Sequence, residues 1–377
     1  MTTGRARARD LGLAPGTLPC GPLNDITDVP GIRVGHTTVS EGDTIRTGVT
    51  AVVHDALVGA DPAGRRMLPA GLSVFNGFGK MVGTTQVSEL GAIETPILLT
   101  GTLSVFRVAD AVLSYLHARP AYAGSGTLNP VVAETNDGYL SDIWARPISE
   151  QHVVAALAGA TAGPVAEGCV GAGTGTGALG YKAGIGTSSR VCDRSAGPVT
   201  LGVLVQANFT GRLTVLGVPC PPPEPSSPVL AECNSCVIVL ATDAPLASRD
   251  LTRLAARAFA GMARTGSDFS GRSGDYALAI STGDLTTGEL TTGELTTGEL
   301  TTGEPIGGGL PSAAKGGGPV PDNDLDLLFL AAIEATEEAV LNSLFMAVTT
   351  TGVGGHTRQA VQLDHVAARV RAATSPP

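Results

Sequence analysis

Ser235 stands where a proline-rich stretch, Pro219 to Pro228, gives way to an apolar run within Cys233-Asn-Ser-Cys-Val-Ile-Val-Leu-Ala-Thr-Asp-Ala-Pro-Leu246. A flexible segment feeding a hydroxyl residue to the mouth of a buried strand is what a chain needs to cut itself and expose a new N-terminal nucleophile. The plainer alternative is a hydroxyl that merely begins a strand. A break before Ser235 would free its α-amine, whose reference pKa of about 7.7 to 8 allows it to take a proton near neutral pH. A second possible helper is Ser273-Gly-Asp275, 38 residues downstream. Residues two apart on a strand share a side, although a turn with a surface carboxylate has the same pattern. No histidine neighbours Ser235, so a Ser/His/Asp relay cannot be assembled from local motifs.

Other chemistries find less support. Gly175-Thr-Gly-Ala-Leu-Gly180 has the spacing of a dinucleotide-binding loop, but that loop needs a helix N-terminus to hold the pyrophosphate. Here the chain continues Tyr-Lys-Ala-Gly-Ile-Gly-Thr-Ser-Ser, which predicts a glycine-built loop wall. Cys233-Asn-Ser-Cys236 is a CxxC, yet a redox dithiol sits at the start of a helix that lowers a thiol pKa. This one runs into Val-Ile-Val-Leu. A redox or ligand-binding protein built around it is an alternative from another class. The six cysteines are scattered along 377 residues, as reduced thiols would be. His36, His54, His117, His152, His356 and His365 show no metal-ligand spacing, so no cofactor is expected.

A net charge of −10 without a basic cluster argues against nucleic acid and anionic membranes as partners. No apolar run reaches the length of a membrane span, and no apolar segment follows the N-terminal arginines. The expected location is cytoplasmic. With 51 glycines but only 8 Phe, 5 Tyr and 1 Trp, close backbone packing must replace aromatic bulk, as in a Gly/Ala/Val-rich α/β protein.

The elements that would position Ser235 follow from periodicity. Strands are expected at Gly31–His36, Gly48–Val53, Thr200–Asn208, through the Ser235 run, and at Tyr276–Ser281. Helices are expected at Ser104–His117, Ser149–Ala160, Ser248–Thr265, Asp324–Met346 and Arg358–Ala373. Four copies of Leu-Thr-Thr-Gly-Glu run from Leu285 to Glu304. A five-residue period with one apolar residue cannot bury a core, so 283–321 reads as a flexible exposed insertion.

Several longer runs, in order, carry a resemblance. They include Gly21-Pro-Leu-Asn-Asp-Ile-Thr-Asp-Val-Pro-Gly-Ile-Arg-Val-Gly35, Pro130-Val-Val-Ala-Glu-Thr-Asn-Asp-Gly138, Gly184-Ile-Gly-Thr-Ser-Ser-Arg190, Val203-Leu-Val-Gln-Ala-Asn208 and Gly352-Val-Gly-Gly-His-Thr357. They resemble the L-aminopeptidase/D-amino-acid esterase (DmpA-type) family across nearly the whole chain except the repeat. The resemblance implies a self-cleaving N-terminal-nucleophile hydrolase with a four-layer α/β/β/α sandwich, related in fold to ornithine acetyltransferases. It implies one peptidase domain cut between Asn234 and Ser235 into chains 1–234 and 235–377, assembled as a homo-tetramer and acting on peptides, amino-acid amides or esters. Ser235 then matches the nucleophile, Ser273 and Asp275 the Ser-x-acid pair, Asn208 an oxyanion donor, and Glu134 the carboxylate that receives the substrate's amino group. Two positions depart from relatives: Asn136 stands where a second oxyanion donor can be Tyr, and Asn234 where a close relative has Gly. An acyltransferase of the ornithine acetyltransferase type is the alternative within the fold, although it is expected to use Thr as nucleophile.

Overall fold

The computed structural model describes residues 4–60, 66–194, 196–222, 234–283 and 322–374. The repeat, most of the proline-rich stretch and Cys233 lie outside the described residues. Among the described residues, seventeen strands and six α-helices are numbered in chain order. One sheet has the order β1-β2-β6-β7-β4, formed by β1 (Ile32–Glu41), β2 (Ile45–His54), β4 (Met81–Val82), β6 (Ile97–Gly101) and β7 (Val131–Thr135). The other has the order β10-β11-β14-β15-β3-β5, formed by β3 (Leu68–Gly77), β5 (Ala92–Ile93), β10 (Ile185–Arg194), β11 (Gly197–Asn208), β14 (Asn234–Thr242) and β15 (Ser273–Ser281). Three short hairpins complete the set: β8 (Gly177–Ala178) with β9 (Tyr181–Lys182), β12 (Thr214–Val215) with β13 (Val218–Pro219), and β16 (Thr350–Thr351) with β17 (Thr357–Arg358).

Three apolar layers hold these sheets and the helices together. Val52, Ile97, Leu99, Val237, Val239 and Leu278 fill the space between the two sheets. Outside one sheet, α2 (Val105–His117) and α3 (Glu150–Ala158) cover Val49 and Leu98 with Val108, Val112 and Val153. Outside the other, α4 (Ser248–Arg264) and α5 (Asp322–Phe345) cover Leu201, Ile238 and Leu240 with Leu251, Leu254, Leu328 and Leu344. The result is the expected α/β/β/α sandwich. Each fully buried aliphatic side chain contributes roughly 1.5–3 kcal/mol.

Glycine permits the closest approaches in the outer layer. A Cβ on Gly186 of β10 would lie 2.0 Å from Ala339 O of α5, and one on Gly261 of α4 would lie 2.4 Å from Ile333 O of the same helix. Backbone thus packs on backbone where aromatic residues are scarce.

One expected helix start and four unexpected strands differ from the sequence-based expectation. No helix begins at Arg358: that residue pairs with Thr350 in the β16–β17 hairpin, Gln359 O accepts the Lys182 amide at 2.8 Å, and α6 starts only at Leu363 (Leu363–Thr374). These backbone bonds to distant residues override the helical periodicity. β3, β6, β7 and β10 were not expected as strands. β10 has little apolar signature because its buried Ser188, Ser189 and Arg190 bond to Asn24, Asp28 and Glu338 from elsewhere in the chain.

Candidate active site

Three strands of the six-stranded sheet bring the predicted residues to one end. Ser235 pairs with Asn208 on β11 and with Gly274 on β15, and Asn234 pairs with Ser273. Alternation along a strand then sorts the side chains. Asn208 and Ser235 fall on the side of Val237 and Val239, facing the space between the sheets. Ser273 and Asp275 fall on the side of Cys236 and Ala277, towards α4 and α5. The Ser273–Asp275 pair therefore flanks the Asn234 end of the Asn234–Ser235 peptide and does not share a face with the Ser235 side chain.

Ser235 is 2% exposed, and its hydroxyl donates to its own preceding carbonyl, Asn234 O, at 2.5 Å. Asn234 is held in turn by Nδ2 donating to Thr210 Oγ1 at 3.1 Å. Ser273 Oγ donates to Asp275 Oδ1 at 2.6 Å. Burial pushes the Asp275 carboxyl up to about 6, against the lowering pull of the Ser273 hydroxyl and the Cys236 amide. Its Oδ2 has no hydrogen-bond partner among the described residues.

Asn208 is oriented at both ends. Its Oδ1 accepts the Gly177 amide at 3.1 Å, and its Nδ2 donates to Asn136 O at 2.9 Å, which leaves the second amide hydrogen available. Gly177 belongs to the glycine-dense stretch, which forms the β8–β9 hairpin; Leu179 and Gly180 turn it at positive φ. No α-helix starts there, and the stretch serves as a wall behind Asn208. Asn136 contributes a carbonyl to this network, while its side-chain Oδ1 closes a turn onto the Gly138 amide at 2.9 Å.

Glu134, 1% exposed on β7, accepts the Lys80 amide on Oε1 at 3.0 Å, with Lys80 Nζ 3.7 Å away. Its Oε2 is buried without a hydrogen-bond partner among the described residues. Burial raises the Glu134 carboxyl, while Lys80 and the Thr102 hydroxyl oppose the rise. Two more ionisable groups border the site that the sequence did not single out. Asp137 is pushed up to about 7 by burial, against the Thr47 hydroxyl. Lys182, wholly buried, donates to Gly173 O at 3.1 Å and to Ala183 O at 2.5 Å, and burial lowers its pKa. Asp137 had a signal in its Asp-Gly turn dipeptide; an isolated Lys80 after Gly-Phe-Gly had none.

Cys236 is buried in β14, and burial drives its thiol well above the ordinary range, the opposite of a reactive redox thiol. Among the described residues no cluster of three or more His, Cys, Asp or Glu could hold a metal ion, and no helix is long and apolar enough to cross a membrane.

Residues 24–358 match peptidase family S58. A beta-peptidyl aminopeptidase of Sphingosinicella xenopeptidilytica is 39% identical, over 97% of this chain and 91% of its own length. A beta-aminopeptidase of a Burkholderia species superposes with a TM-score of 0.81 at 38% identity, covering 99% of this chain and 100% of that one. The L-aminopeptidase D-Ala-esterase/amidase of Ochrobactrum anthropi, described as a prototype serine aminopeptidase and a variant of the Ntn hydrolase fold, also gives 0.81, at 34% identity over 97% and 98% of the two chains. These relatives are aminopeptidases, so neither the acyltransferase nor the CxxC reading is favoured. With an Ntn-type sandwich and a match running from Asn24 to Arg358, the chain belongs to peptidase family S58 and is an aminopeptidase.

Proposed function

We propose that the enzyme makes its own catalytic residue by cleaving between Asn234 and Ser235. The observation that carries this reading is the Ser235 hydroxyl folded onto the Asn234 carbonyl, with Asn208 across the same face and Ser273–Asp275 beside Asn234. Ser235 Oγ attacks the Asn234 carbonyl carbon, its proton passes to the departing Ser235 nitrogen, and the peptide becomes an ester. Water opens the ester, leaving an Asn234 carboxylate and a free Ser235 amine on chains of 234 and 143 residues. Both chains remain joined through the shared sheet, because β14 lies between β11 of the first and β15 of the second.

In turnover the freed Ser235 attacks the carbonyl of a peptide, amino-acid amide or ester. Its own amine takes the proton, and the Ser273–Asp275 pair, on the other face of the sheet beside that backbone, relays it. The remaining amide hydrogen of Asn208 stabilises the oxyanion, and Glu134 holds the substrate's ammonium through a charge-assisted hydrogen bond. Water then releases the acyl group. Side chains and water suffice for every step. The names of the Sphingosinicella and Burkholderia relatives support β-amino-acid substrates, and the Ochrobactrum relative supports small amides and esters. A cytoplasmic homo-tetramer of cleaved protomers completes the proposal.

The test is the intact mass of the purified protein with its Ser235→Ala variant. The natural chain should split into two, whereas the variant should stay full length and be inactive on amino-acid p-nitroanilides. A variant that still splits, or that keeps natural activity while intact, overturns the assignment.

A further inference from the structure

The Lys80–Glu134 pair is more than amine binding requires. Lys80 Nζ lies 3.7 Å from Glu134 Oε1 and donates to Thr102 Oγ1 at 2.8 Å, while its side chain remains 39% exposed. The Lys80 side chain thus borders solvent, and the Glu134 carboxylate is buried with Oε2 unbonded among the described residues. Both halves of the pair are tied to the Ser235 row. Gly79, next to Lys80, packs against Gly274, the strand neighbour of Ser235. Asn136, two residues after Glu134, accepts from Asn208, the other strand neighbour.

Charge balance then discriminates among substrates. An N-terminal residue with only an ammonium would place a second cation beside one buried carboxylate and leave net positive charge in a partly desolvated site, which is unfavourable. A residue that brings an ammonium and a carboxylate together keeps the site neutral: its ammonium meets Glu134 Oε2 and its carboxylate meets Lys80 Nζ. The other groups facing Glu134 supply no dependable countercharge. Thr102 and the Tyr276 hydroxyl of β15 are neutral, and burial raises Asp137 to about 7, so it is only partly ionised near neutral pH.

We propose that Lys80 makes the amine subsite a charge-pair subsite that selects aspartyl-type N-terminal residues, whose carboxylate sits beside the amine. This rests on Glu134 being the amine-binding carboxylate. The substrate is linked through its α- or its β-carboxyl, and both leave one free carboxylate near the amine.

The test compares kcat/KM on amides of alanine, α-linked aspartate and β-linked aspartate for the processed enzyme, Lys80→Met, Lys80→Arg and Glu134→Gln. One aspartyl substrate should exceed alanine by about tenfold, the effect of a partly exposed charge-assisted bond. Lys80→Arg should keep that preference and Lys80→Met should abolish or reverse it, with alanine turnover showing that the variant is folded. The inference is overturned if the natural enzyme prefers alanine to both aspartyl substrates, or if Lys80→Met leaves the preference unchanged while Glu134→Gln is impaired on all three. If Glu134→Gln retains full activity on all three, the amine-binding reading itself falls.

Discussion

The N-terminal segment and the Ser235 site each bury several carboxylates and treat them differently. Around the N-terminal segment, Arg190 is fully buried, with Nη2 2.8 Å from Glu338 Oε2 and Nε 3.3 Å from Glu334 Oε2. Arg9 also pairs with Glu338 at 2.8 Å, Arg7 pairs with Asp25 at 3.0 Å and Glu167 at 2.9 Å, and Glu334 accepts the amides of Thr17 and Leu18. Burial still lifts Glu167 to about 8 despite Arg7 and the Thr187 amide. Around Ser235, Glu134, Asp137 and Asp275 each keep one buried oxygen without a hydrogen-bond partner among the described residues; the N-terminal cluster keeps one as well, Asp25 Oδ1, but there Arg7 Nη2 lies 3.0 Å away. A partnered buried charge holds the chain in place; an unpartnered acceptor lowers stability and remains available to a substrate or a proton.

The largest effect should come from breaking the partnered cluster. Arg190→Met strands Glu334 and Glu338 without their shared cation, so about 3–5 kcal/mol of stability should be lost, read as a fall in Tm with activity per folded molecule retained. An unchanged Tm would end the distinction between the two regions. Next, Asn208→Ala should lower kcat by roughly 10²–10³, with a fall in Tm smaller than that of Arg190→Met, because the Gly177 amide and the Asn136 carbonyl lose their partner. Asn136→Ala should fall well short of that, because its side-chain oxygen is closed onto Gly138. Equal losses would put both amides in the oxyanion site.

The Asp275 carboxyl sharpens the comparison through pH. Its folded pKa of about 6 exceeds the reference of about 3.9. The folded state therefore binds the proton more tightly, and stability falls as pH rises from about 4 to about 6. Asp275→Asn escapes that loss: its stability relative to the natural chain should be about 2 kcal/mol better at pH 7 than at pH 4, measured by urea melts at both. Its activity should collapse, and the natural enzyme should show an acid limb near pH 6. A stability difference that does not change with pH would remove the contrast between the two regions. The smallest effect is expected from deleting Leu285 to Glu304, whose composition supplies no core. Tm and processing should stay nearly unchanged, and a large fall in Tm would show that the repeat packs.

Local patterns exposed part of this architecture. The stripe Leu251, Leu254, Ala255, Ala258 and Phe259 foretold the buried face of α4, because one helical face must be apolar. The Ser273–Asp275 hydrogen bond was foreseeable from a spacing of two. β6 and β7 were not, since five buried residues in a row show neither helical nor alternating period. Lys80 escaped notice because its partner is 54 residues away.

The sequence by itself determined the residue types, the α4 and α5 helices, the Ser235 strand and, through its longer runs, the family. Only the tertiary structure decided that Asn208 and Ser235 share one face while Ser273 and Asp275 take the other, that Asn136 supplies a carbonyl through its turn, and that Lys80 stands over Glu134. Strand register and the packing of one sheet on another arise from contacts between residues far apart in the chain, so no local pattern can encode which side chains will meet.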